Sequence, residues 1–144
     1  MTNEGVDVRS RQDPLRKHYR ESPEDARITD RAKTTDGTGM DPFHGKVVPG
    51  SEDYGVVWSF GIHRAVGGDH DLPNPGDMLS AALAACLDST IRLIAARMGV
   101  SLTSLSVEVA ADIDVRGCLQ VDRGVPIGFQ KMRCHIALKA ANGL

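Results

Sequence analysis

The chain has 144 residues, 41% of them hydrophobic and 25% charged, with a formal net charge of -2 and a pI near 6.2. That is one domain's length, with apolar material for one modest core, and it lacks the cationic excess of a nucleic-acid binder. No apolar segment follows Met1, and Asp88 and Arg92 break the longest apolar run, so a soluble protein without a membrane or nucleic-acid partner is expected.

Residues 1–33 carry 15 charged side chains of mixed sign and few apolar ones, and form an arm that cannot bury itself. Within it, "DPLRKHYRESPEDA" predicts a short surface helix capped by Asp13, with Pro14 at its first position and a break near Pro23. Residues 34–144 form the domain. Up to residue 76 it is dense in glycine, including Gly37, Gly39, Gly45 and Gly50, so turns dominate. Between the turns, "KVV" and "GVVWSFGIHRAV" read as short strands.

From Asn74 the signals sharpen. Asn74 is a good N-cap, Pro75 suits the first helical position, and Asp77 stands where it closes a capping box. Leu79, Leu83, Cys86, Leu87, Thr90, Leu93 and Ile94 recur at three- and four-residue steps, and Gly99 supplies the stop. The spacing predicts a helix roughly 35 Å long at about 1.5 Å per residue. Next, "LSVEVAADIDVRG" alternates, with Leu105, Val107, Val109, Ala111, Ile113 and Val115 on one face. After a Gly/Pro-rich connection, "KMRCHIALKA" alternates again, with Met132, Cys134, Ile136 and Leu138 on its apolar side. Strands grouped around one long helix predict an α+β fold, an antiparallel sheet packed on a central helix.

The three cysteines show no CxxC pair and no zinc spacing, which suits reduced thiols in a cytoplasm. Cys134 reads as a small hydrophobe on its strand, and Cys118 as an incidental loop thiol. Cys86, among Ala81, Ala82, Ala84 and Ala85, reads from periodicity first as close-packing core, with a nucleophile as the alternative. A nucleophilic cysteine must be a thiolate, and the helix dipole assists only within the first turn. Cys86 lies 12 positions past Asn74. Activation therefore requires a cation from another segment or subunit; Ser89 and Thr90 offer only hydrogen bonds.

The capped alanine-rich helix bearing "AAC", its glycine stop, the acidic strand ending "DVRG" and the "GF" opening the next strand resemble the osmotically induced protein C (OsmC) family. That family includes the organic hydroperoxide resistance proteins. The similarity runs from about Pro73 to Ala140, and "PLRKHYRESPEDARIT" is similar to the N-terminal extension of one branch. It implies a thiol-dependent peroxidase in oxidative stress defence, with Cys86 attacking the terminal oxygen of an organic hydroperoxide or hydrogen peroxide. It implies an obligate homodimer with sites at the subunit interface, an external dithiol reductant and no cofactor. It also implies an arginine from the first strand to hold the thiolate. Arg27 and Arg31, in "ARITDRAKT", are the two candidates; Arg16 and Arg20 fall on the surface helix. Cys86, Asp77 and Arg31 make up the candidate catalytic set.

Departures from the family pattern are visible too. The glutamate that follows the helix-heading proline in the hydroperoxide-resistance branch is Gly76 here, leaving Asp77 either to orient the arginine or only to cap the helix. Family members continue into a second long helix bearing a resolving cysteine, whereas this chain stops at "AANGL", so a fold incomplete at the C-terminus is expected. An inactive OsmC-like binding or regulatory protein is the alternative. A metal centre around "GGDHD", from Asp69, His70, Asp71 and His63, is not expected, since consecutive Asp-His-Asp cannot converge on one ion without strain.

Overall fold

The structure, a computed structural model, describes residues 7–35 and 41–141. The turns expected at Gly37 and Gly39, and most of "AANGL", lie outside the described residues. Contacts divide the chain into one unit of Met1–Thr29, Ala85–Val107 and Ile136–Leu144, and another of Asp30–Ala84 and Glu108–His135. The architecture is α+β, as the grouping of strands around one helix predicts.

The second unit holds a three-stranded antiparallel sheet in the order β1-β2-β3: Ala32–Thr34, His44–Pro49 and Trp58–Gly61. Ala32 pairs with Pro49 and Thr34 with Val47; on the other edge His44 pairs with Gly61 and Val47 with Trp58. Val48 on the middle strand is buried, at 4% exposure. β1 is short for a physical reason. Its partner ends at Pro49, which has no N–H to offer, and Gly50 turns away at φ 70°. Arg31 therefore stands just before the strand, its carbonyl accepting from the Gly50 N–H at 2.7 Å. The strand expected from "GVVWSFGIHRAV" is confined to Trp58–Gly61 and followed by a 3-10 turn, Arg64–Val66.

Helix α2, Pro75–Met98, runs through both units. Its end is a Schellman motif: Gly99 at φ 74° donates to Ala96 O at 3.1 Å, and Val100 to Ala95 O at 2.9 Å. The covered stripe differs from the expected one. Leu83, Leu87 and Ile91 are half-buried and Ala95 is buried, four apart, while Leu79, Cys86, Leu93 and Ile94 are exposed. A helix apolar on most sides offers several overlapping stripes, and periodicity does not choose among them.

Strands β4, Leu102–Ile113, and β5, Phe129–Ala140, pair in a second sheet. In the first unit Ala141 donates to Ser101 O at 2.9 Å and the Thr103 hydroxyl to Lys139 O at 3.3 Å. In the second unit Arg133 pairs with Asp112, one contact at 2.9 Å, completing an antiparallel register. Burial alternates with the sequence in β4 only over residues 105–109; Ile113 is exposed and the strand ends there, before Val115, while in β5 Met132, Cys134, Ile136 and Leu138 are all exposed in the single chain. The connection contains a four-residue helix α3, Val115–Cys118, capped by Asp114, so Cys118 lies on a helix and not in open loop.

Helix α1, Val8–Glu21, is capped by Asp7, six residues before the expected cap Asp13. The Asp7 carboxylate accepts from the Arg9 N–H at 2.9 Å, and Pro14 falls inside the helix instead of opening it. Its missing N–H forfeits one internal bond, a cost met here by docking. Arg9 Nε donates to Arg97 O at 2.9 Å, while Arg97 Nη1 reaches Asp13 at 3.0 Å and Gln12 at 3.2 Å. A cation thus meets the carbonyl-rich end of α2.

Candidate active site

Cys86 sits midway along α2 with its thiol exposed. In the single chain it is therefore not core packing. It sits one residue off the Leu83–Leu87–Ile91 stripe, and among the described residues its thiol makes no hydrogen bond. The Ser89 hydroxyl donates to the Cys86 carbonyl at 3.1 Å, which occupies a group expected to be free for the sulfur. Arg92, the nearest arginine on the helix, is held by Asp88 through contacts of 2.6 and 3.3 Å. That pair keeps the Asp88 carboxyl below its usual range, chiefly through the Arg92 hydrogen bond.

Asp77 lies on the same helix, about 14 Å along its axis from Cys86 at about 1.5 Å per residue. Its N–H donates to Asn74 Oδ1, and the Asn74 N–H donates to Asp77 Oδ2, each at 3.0 Å. Arg31 lines an open cavity of about 780 Å³ with Lys33, Ser51 and Glu52, where Lys33 and Glu52 form an ion pair. Arg31 and Asp77 belong to one unit and Cys86 to the other. Cys118 and Cys134 are free and exposed; the Cys118 thiol donates to Val115 O at 3.2 Å.

Sequence reasoning missed a second constellation. His44, at the start of β2, places Nε2 3.0 Å from both oxygens of Asp71 and 3.8 Å from Asp69 Oδ2. Its Nδ1 is 2.6 Å from Asp41 Oδ2. The hydrogen bonds to Asp41 and then Asp71 raise the imidazole above its ordinary value, whereas the Phe43 N–H, followed by His44, lowers Asp41. His70 takes no part. It adopts φ 56° and packs edge-on against the His63 ring at 4.2 Å.

The family model for OsmC-like protein matches residues 68–144, just over half of the chain. The chain belongs to the OsmC family. An organic hydroperoxide resistance protein from Elizabethkingia anophelis, crystallised with crystallant-derived thiocyanate bound, has a similar fold. The two are 19% identical, with a TM-score of 0.57 over 78% of this chain and 71% of that one. No curated protein sequence matches. In this OsmC-like chain α2 is, by length and composition alone, apolar enough to cross a membrane, with mean hydropathy 1.5 over its most apolar window. Asp88 and Arg92 therefore do not exclude a span as the sequence reading supposed. The family assignment does the sorting, making α2 the central helix of a non-membrane fold.

Proposed function

We propose that this OsmC-like protein is a thiol-dependent peroxidase of a cytoplasmic compartment, reducing organic hydroperoxides or hydrogen peroxide through Cys86. The observation that carries the reading is an exposed thiol at mid-helix on α2, inside the segment that matches the family. In the first step the Cys86 thiolate attacks the terminal peroxide oxygen. The O–O bond breaks, an S–O bond forms, and the alkoxide leaves and is protonated to the alcohol, or hydroxide to water. Sulfur is oxidised to a sulfenic acid. An external dithiol then attacks that sulfur, expels water, and closes to its own disulfide, returning the thiol.

The thiolate needs a positive charge, and Arg31 is our candidate, contributed by a second copy in a homodimer. Two facts support assembly: among the described residues only Val48 and Ala95 are buried hydrophobics, and Leu79, Ile94, Ile136 and Leu138 stand exposed. Asp77 is the candidate for orienting that arginine. An inert OsmC-like binding or regulatory protein remains the second reading, favoured by the absence of any hydrogen bond to the Cys86 thiol among the described residues. The test is hydroperoxide consumption with a dithiol reductant by the wild-type chain and by Cys86→Ser. Turnover abolished only in the variant supports the peroxidase; no turnover in either, with iodoacetamide labelling no faster than a free thiol, supports the inert reading.

A further inference from the structure

His44, Asp69 and Asp71 each offer one donor atom, and the three atoms lie within 4.8 Å of one another. A divalent ion about 2.1 Å from each donor would set them roughly 3.0–3.5 Å apart. From His44 Nε2, the 3.0 Å separation to Asp71 already lies in that range, and the 3.8 Å to Asp69 needs a small contraction. We propose that these residues form a surface metal site for a first-row divalent ion of the manganese-to-zinc kind, its remaining positions filled by water. The proposal goes beyond the peroxidase reading and uses no thiol.

Two features show how the chain builds the site. The first is room at the cross-strand position. His44 pairs with Gly61, and a Cβ on Gly61 would lie 3.1 Å from Asp71 Oδ1, so the bare glycine lets that carboxylate settle beside the imidazole. The second is orientation from behind. Asp41 holds Nδ1 at 2.6 Å, the arrangement in which a carboxylate fixes the ring and leaves Nε2 to face a metal. The strain objection to an Asp-His-Asp run is met by leaving out the middle residue. His70 turns to His63, and the His70 N–H donates to Ile62 O at 3.1 Å, while the two flanking aspartates of the loop converge on a histidine from β2. One nitrogen and two carboxylates suit manganese, iron or zinc better than thiolate-seeking copper(I).

The test is titration of the full chain with Mn2+, which binds thiolates poorly, following loss of the free-ion EPR signal. One ion per chain is expected, with Zn2+ displacing it as the tighter-binding ion. His44→Ala and Asp71→Asn should each weaken uptake by about tenfold or more, and Asp41→Asn by about tenfold. Asp69→Asn, at a side chain 70% exposed, tests the site without risk to folding and should also weaken uptake. No uptake by wild type, or equal uptake by all four variants, overturns the proposal.

Discussion

The backbone N–H of Asn74 donates to Asp77 Oδ2, and the backbone N–H of Asp77 donates back to Asn74 Oδ1, both at 3.0 Å. This reciprocal box satisfies two groups that an α-helix leaves without internal partners at its start. One carboxylate oxygen of Asp77 is thereby committed to holding the head of α2.

Asp77→Ala should therefore lower stability by about 1 kcal/mol, read by urea denaturation. If capping is its whole role, the iodoacetamide labelling rate of Cys86 and the peroxide consumption rate stay unchanged in the folded variant. A tenfold loss of consumption with labelling and folding intact would instead assign Asp77 a positioning role.

Assembly is the next expectation. A 144-residue chain with two buried hydrophobic side chains among its described residues leaves too much apolar surface in water for a lone copy. Light scattering should show a dimer at micromolar concentration. A stable monomer would contradict it. Leu79→Ser and Ile136→Ser, both at exposed apolar positions, should shift the population toward monomer, with the fold followed by circular dichroism.

Oxidation of Cys86 should run past the first stage. All three thiols are free and unpaired by disulfide. A sulfenic acid that no second thiol captures is oxidised onward to sulfinic acid. Intact mass after a small excess of hydroperoxide should gain two oxygens, localised to Cys86, and activity should fade after few turnovers unless a thiol is added. A loss of two hydrogens, mapped to a bond with Cys118 or Cys134, would contradict this.

The Asp112–Arg133 pair gives a pH dependence with a definite sign. The Arg133 guanidinium, through its hydrogen bond first, holds the Asp112 carboxyl below its usual range, with a lesser contribution from Lys131. A depressed carboxylate stabilises the fold above the ordinary carboxylate range, and that contribution is lost as pH falls through the depressed value. Both side chains are about half exposed, so the effect is small and screened by salt. Asp112→Asn should lower Tm near neutral pH, and the gap from wild type should narrow on acidification as pH falls through the depressed value. A gap that widens in acid would reverse the assignment.

The parts legible in the sequence were those written in short-range chemistry. Asn74, Pro75, Asp77 and Gly99 bound α2 because caps and stops act within a few residues. The middle of β4 was legible because one of its faces is covered there, so burial follows the alternation over residues 105–109. β5 carries the same alternation, yet its apolar side chains stand exposed, since alternation records which face is apolar and not what covers it. The start of α1 was misplaced because Asp7 and Asp13 are both acceptable caps, and the docking of Arg9 that favours the earlier one is 88 residues away in sequence. The His44 cluster was invisible for the same reason. His44 and Asp71 stand 27 positions apart, and only the pairing of β2 with β3 brings them together. For the candidate catalytic set, the sequence offered Cys86 through resemblance alone, and the stripe of half-buried neighbours beside it needed the structure.

The bond from Arg9 to the Arg97 carbonyl also sets an order of events in time. At a synthesis rate of about 5–20 residues per second, the 88 intervening positions take roughly 4–18 s to emerge. Through that interval the arm has no helix end to dock against, and its 15 charges in the first 33 residues are what keep it solvated while it waits. The closing contact of this unit joins an earlier-made segment to a later-made one. A ribosome-bound nascent chain halted before Arg97 should thus leave the arm open to protease, and one released beyond it should protect the arm.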